Sequence, residues 1–192
     1  MLKEIIRQRK LHRLLFCGCG VCPSVHERWA GLGDAIITHS QEKDVGRIVK
    51  EITDQQPNLF GYPNEERSLW LELIGDEWRP YSQKKRADVL YFVGCKTSFL
   101  IHKHPQALAV VKGLKQEGID FALLGALEWC CGIILKRLGL HDEFEACKQH
   151  NLGEMRGLGV TQVVFSCHAC YLQWQEEYRT EGVELVYRES IN

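Results

Sequence analysis

From residue 84 onward the sequence predicts an α/β fold: a Rossmann-like parallel sheet of about four strands with helices on both faces, preceded by a small helical segment that carries cysteines. Three observations lead there. Apolar runs of strand length alternate with amphipathic runs of helical period, the alternation begins after a stretch broken by Pro57, Gly61 and Pro63, and cysteines recur just beyond the strand-like runs.

The elements follow in order. Residues 2–16 read as a short helix, and "CGCGVCP" supplies a glycine-punctuated loop. In residues 42–54, Val45, Ile48, Val49 and Ile52 form one apolar stripe at helical spacing. "QQPNLFGYPNEERSLW" interrupts regular structure, and the basic run Lys84 to Arg86 marks a boundary, so residues 1–83 are expected to stand apart from residues 84–192. "DVLYFVG" (88–94) is a buried-type strand, "PQALAVVKGLKQEG" a helix, "IDFALLG" a strand, "GIILKRLG" and "HDEFEACKQHNLGEMRGLG" helices. "TQVVFS" is a strand, "HACYLQWQEEY" a helix and "VELVYR" the last strand. Such alternation builds right-handed βαβ units and a parallel sheet, whose sites gather at the carboxyl ends of the strands.

Composition narrows the function. The chain has 192 residues, 45% hydrophobic and 26% charged, an ordinary balance for a globular protein. Apolar runs such as Val89 to Val93 fall far short of the roughly 20 residues of a spanning helix, so no transmembrane segment is expected. The N-terminus mixes charges through its apolar residues, which argues against a secretory signal and for a chain that begins where it is written. A net charge of −1 argues against a nucleic-acid partner. The first sixteen residues hold Lys3, Arg7, Arg9, Lys10 and Arg13 against Glu4, either a basic face for a protein or a solvated helix. Nine cysteines without an export signal imply a reducing, cytoplasmic setting in which thiols stay free or bind metal.

Their positions carry the chemistry. Cys95 follows the first strand, Cys130 and Cys131 come a short loop after the second, and Cys167 and Cys170 follow the third. Three strand ends therefore deliver five sulfurs to one rim. Structural zinc takes four ligands and would leave one thiol idle, whereas an iron–sulfur cluster has several irons and can use all five. Adjacent cysteines are awkward on one ion but natural on two neighbouring irons, and Gly132 allows the backbone to turn tightly beside them. The bland reading is that Cys130 and Cys131 merely pack at a helix start. Cys147 shares a helical stripe with Phe144, Asn151, Met155 and Leu158 and reads as a core thiol. Cys17, Cys19 and Cys22, with His26 four residues on, form a candidate second metal site, either three-cysteine, one-histidine zinc or an iron–sulfur centre, set against three unligated thiols. His102 and His104 fall near the proposed rim and read as loop histidines. Trp129 either shields a metal from water or belongs to the core.

"YFVGC", "EWCCG" and "VVFSCHAC" together resemble the cysteine-rich CCG domain of the B-type subunit of heterodisulfide reductase and of iron–sulfur subunits of glycolate, lactate and glycerol-3-phosphate oxidising systems. "NLFGYPNEERSLW" resembles the segment after the ferredoxin-like module in fused members of that family. The resemblance implies that residues 1–83 are a ferredoxin-like remnant and linker and residues 84–192 a CCG domain. It further implies that Cys95, Cys130, Cys131, Cys167 and Cys170 hold a noncubane [4Fe-4S] cluster, which in the reductase cleaves a disulfide of two coenzyme thiols. The chain departs from the family in carrying one cysteine-rich domain where two are usual. It has three N-terminal cysteines where the ferredoxin motif has four, and His168 where the last motif commonly has proline. The expected function is an iron–sulfur redox subunit of an oxidoreductase, for electron transfer and disulfide or thiol chemistry; the alternative is a zinc-stabilised interaction module. No dinucleotide fingerprint is present, "GLGDA" lacking the preceding strand, so a flavoprotein or ferredoxin-like subunit is the expected partner. A second CCG-domain subunit or a homodimer would complete a disulfide site.

Overall fold

The computed structural model describes residues 39–72 and 76–188. The helix expected over residues 2–16, the candidate second site of Cys17, Cys19, Cys22 and His26, and "GLGDA" lie outside the described residues.

Helix α1 (His39–Thr53) opens the described chain and buries Val49. A 3₁₀ turn (Asn64–Ser68) and the short α2 (Leu69–Glu72) follow, then a second 3₁₀ segment, Asp76–Ser82. Beyond it come β1 (Val89–Phe92), α3 (Cys95–Phe99), α4 (His104–Gln116), β2 (Phe121–Ala122), α5 (Ile133–Arg137), α6 (His141–Leu158), β3 (Gln162–Phe165), α7 (His168–Glu177) and β4 (Glu184–Tyr187).

The four strands form one sheet in the order β2-β1-β3-β4, every pair parallel. Side chains alternate between its faces as the two-residue period of a strand demands. Leu90, Phe92, Val163 and Phe165 point to one side, where they pack with Phe144, Cys147, Leu152, Met155 and Leu158 of α6 and Trp174 of α7. Val89, Tyr91, Val93 and Val164 point to the other and meet Ala107, Val110, Val111 and Leu114 of α4, with Trp70 and Trp78 at the edge. Both faces are covered, which is why these strands read as continuous apolar runs. The crossover from β1 to β2 moves one way along the sheet and those from β2 to β3 to β4 move back. Right-handed connections then put α4 on one face and α6 and α7 on the other. The reversal falls between β1 and β3, and the crevice beyond the carboxyl ends at such a switch point is where open α/β sheets place their sites.

Residues 45–71 pack into these same two cores: Val49 and Leu59 lie in the first, Trp70 and Leu71 in the second. No helix among the described residues is long and apolar enough to cross a membrane.

Candidate metal centre

Each cysteine reaches the crevice by a local device. After β1 the chain turns at Gly94 (φ +79°), and Cys95 opens α3. A side chain at Gly94 is disfavoured for two reasons: the positive φ of the backbone, and a Cβ that would lie 2.9 Å from the Sγ of Cys170. After β3, Cys167 is the N-cap of α7 and Cys170 lies one turn in, so the backbone N–H groups of Ala169 and Cys170 donate to the Cys167 sulfur.

The paired cysteines hang on a buried polar frame. Asn151 of α6 accepts from the Trp129 N–H (3.0 Å) and donates to the Cys130 carbonyl (3.1 Å), while the Tyr178 hydroxyl donates to the Cys131 carbonyl (3.1 Å). The Cys130 N–H donates to the Pro57 carbonyl at 2.8 Å. Gly132 caps α5 at φ +80°, and a Cβ there would stand 2.4 Å from the Phe144 ring. Its backbone turns as the sequence predicts, but the close neighbour that excludes a side chain is a core aromatic. The glycine pressed against the sulfurs is Gly94.

All five cysteines line one cavity. Its other walls are Leu59, Phe60, Lys96, Ile133, Ile134 and Ala169, so apart from Lys96 the lining is apolar. Cys95, Cys130, Cys131 and Cys170 are buried and Cys167 is half-buried; none of the five is in a disulfide. The thiols act on one another's ionisation as neighbours, Cys95 with Cys130, Cys130 with Cys131, and Cys170 with both Cys131 and Cys167. Neighbouring thiols hold Cys131 and Cys167 below the usual thiol range, whereas Cys95, Cys130 and Cys170 are pushed well above it by their sulfur neighbours and by burial. Among the described residues, no three His, Cys, Asp or Glu side chains converge as ligands of a single ion do. Backbone N–H groups of Leu59, Gly132 and Ile133 also point at sulfurs, on Cys95, Cys130 and Cys131 respectively. Several sulfurs spread around one apolar cavity and met by amide donors are the donor set that a multi-iron cluster takes, so the residues present fit that group.

The wall nearest Cys95 holds charges that sequence reasoning did not single out. Arg67 and Glu128 are 2% and 1% exposed and pair at 2.8 Å. Both Glu128 oxygens also accept backbone N–H groups, from Val93 and Gly94, each at 2.8 Å. Burial pushes the Glu128 carboxyl up, opposed by Arg67 and those two amides. The remaining guanidinium bonds go to Asn64 Oδ1 (2.9 Å), Cys95 Sγ (2.9 Å) and Ser98 Oγ (3.4 Å), and the group lies over the Phe99 ring. Asn58 Oδ1 accepts from the Phe60 and Gly61 N–H groups, tying the turn that presents Leu59 and Phe60 to the cavity. The available signal was a lone acid in the otherwise apolar "LEWCC"; nothing marks which of Glu65, Glu66 and Arg67 turns inward.

The other expected residues fall outside the cavity wall. Cys147 is buried among core side chains, and burial pushes its thiol up to about 12. Trp129 packs against the core and stacks on His150 with ring centroids 3.9 Å apart. His102 is exposed in a 3₁₀ turn; His104 begins α4 and bonds the Ser98 carbonyl at 3.1 Å. The His168 ring lies edge-on to Tyr187 at 5.0 Å.

Residues 89–175, from the first strand through the last of these cysteines, match the cysteine-rich domain family designated CCG. Over 166 residues the chain is 30% identical to the D-type subunit of dihydromethanophenazine:CoB--CoM heterodisulfide reductase from Methanosarcina barkeri, covering 80% of this chain and 38% of that one. It is 30% identical over 98 residues to EtfAB:quinone oxidoreductase of Syntrophomonas wolfei, covering 51% of this chain and 14% of that protein. To the probable iron-sulfur-binding oxidoreductase FadF of Bacillus subtilis it is 25% identical over 173 residues, 85% of this chain and 24% of that one. The chain spans about two fifths of the length of the heterodisulfide reductase subunits it matches. No solved structure matches it.

Proposed function

We propose that this protein is an iron–sulfur redox subunit of a heterodisulfide-reductase-like system, and that Cys95, Cys130, Cys131, Cys167 and Cys170 hold a noncubane [4Fe-4S] cluster. The observation that carries the reading is that five cysteines from three separate strand ends line one cavity. The likeness to oxidoreductases named for iron–sulfur or heterodisulfide chemistry supports it.

Bound, such a cluster stores single electrons and has irons open to thiolate ligands. The protein's own groups prepare its setting. Leu59, Phe60, Ile133 and Ile134 keep the cavity apolar, which raises the strength of every charge interaction inside it. The amides at the start of α7 and α5 stabilise thiolate over thiol at Cys167 and Cys131, favouring the ionised form that metal requires. Glu128 and Asn151 lock the strand end and the paired-cysteine loop, so the sulfurs are positioned before any metal arrives. With no dinucleotide fingerprint in the sequence, electrons come from a flavoprotein or ferredoxin-like subunit.

Anaerobic purification followed by iron, sulfide and zinc analysis tests the reading. About four irons and about four sulfides per chain are expected at this site; one zinc and no sulfide would overturn it in favour of a zinc-stabilised interaction module. Iron beyond that number, lost on substituting Cys17, Cys19 or Cys22, would locate a second centre there.

A further inference from the structure

Among the described residues, Arg67 and Glu128 are the fully buried charges, and they lie against the ligand set proposed above. Taking an ion pair out of water is expensive, and a well-packed apolar pair of similar volume serves stability as well or better. Holding the strand end does not require the cation, because Glu128 reaches the Val93 and Gly94 amides by itself. Arg67 also comes from the 3₁₀ turn at residues 64–68, upstream of the CCG match, and is held there by Asn64 through its Nε. What its second terminal nitrogen reaches is the sulfur of Cys95, at 2.9 Å.

We infer that Arg67 is a positioning residue for the metal centre, whose guanidinium, bonded to the Cys95 sulfur and balanced by Glu128, sets the reduction potential of the cluster. The inference rests on the reading that the five sulfurs hold such a cluster. Reduction adds one negative charge to a site walled by apolar side chains, where little solvent screens it. A fixed cation touching one ligand sulfur stabilises that added charge, and hydrogen bonds and net charge at the sulfurs are established controls of iron–sulfur potentials. Glu128 works in the opposite sense, so the pair is a two-sided control. Lys96 also lines the cavity, but it is half-buried and solvent screens its charge more than that of Arg67.

The test is anaerobic redox potentiometry, followed by electron paramagnetic resonance, on the full-length metal-loaded chain. Arg67→Gln combined with Glu128→Gln keeps a neutral hydrogen-bonding pair and leaves no lone buried charge. This double variant reports on the two charges together. Because the cation is nearer a ligand, the potential should fall, by about a tenfold change in the reduction equilibrium, or ~59 mV for one electron. Glu128→Gln alone should raise it, and Arg67→Lys should keep it closer to wild type than the double variant does. Potentials unmoved in variants that retain wild-type iron and sulfide would overturn the inference, as would Arg67→Lys and the double variant falling equally. If the double variant binds no iron, the sign of the shift in Glu128→Gln decides, a fall or no change counting against. Wild-type protein without sulfide would instead remove the reading beneath the inference, a result the metal analysis reports separately.

Discussion

At the scale of single residues, the site divides into sulfurs that face the cavity and groups that hold them. Replacing Cys130 or Cys131 with serine should cost the cluster, because a neutral hydroxyl cannot take a thiolate's place on iron, whereas Cys147→Ser should keep it. Iron and sulfide content of the three variants checks this; equal loss in all three would mean that the core thiol is a ligand too. Gly132→Ala meets both a left-handed backbone and the Phe144 ring, 2.4 Å from its new Cβ. A loss of about 3 kcal/mol is expected, read as a lowered midpoint of thermal unfolding in the metal-free chain. An unchanged midpoint would show that Phe144 gives way freely.

At the scale of elements, most of the architecture was legible, because buried parallel strands and amphipathic helices differ in period. The strands over 88–94, 161–166 and 183–188 and the helices over 105–118, 141–159 and 168–178 appear within a few residues of their expected ends. The second strand is only Phe121–Ala122, since Leu123 and Leu124 leave the ladder for the turn that leads to the cysteine pair. Helix α3, Cys95–Phe99, was not legible: five residues are too few to show a period, and it exists because the chain must turn sharply out of the sheet at Gly94. The wall built by residues 57–67 was hidden for another reason. Asn58, Asn64 and Arg67 are polar and sit in a Pro/Gly-broken stretch, so their types suggest solvent, yet they are buried through tertiary hydrogen bonds. A chain beginning at residue 84 would lose that wall, leave Glu128 without its cation and uncover Cys130. It should fail to give a cooperative unfolding transition or to retain iron after reconstitution. A cooperatively folded, fully loaded 84–192 fragment would show that the upstream wall is dispensable.

At the scale of the whole molecule, one cavity at the switch point of one sheet has a consequence for chemistry on disulfides. Cleaving an S–S bond leaves two sulfurs to stabilise, and the described residues present one five-cysteine site. Thiol release from a small disulfide, driven by a strong reductant, should therefore appear only as protein concentration favours a dimer or when a second cysteine-rich subunit is added. Release from dilute chain at a rate independent of concentration would contradict this. Rapid reduction and reoxidation with no thiol release under any pairing would leave electron relay as the sole role.

The central claim is that three strand ends bring five sulfurs around one multi-iron cluster. Anomalous diffraction from anaerobically grown crystals, recorded on either side of the iron edge, tests it most directly. Iron density should occupy the cavity between Cys95, Cys130, Cys131, Cys167 and Cys170, with all five sulfurs bordering it. A lone peak at the zinc edge bound by four of them, or iron confined to other residues while these five remain free thiols, would contradict the account.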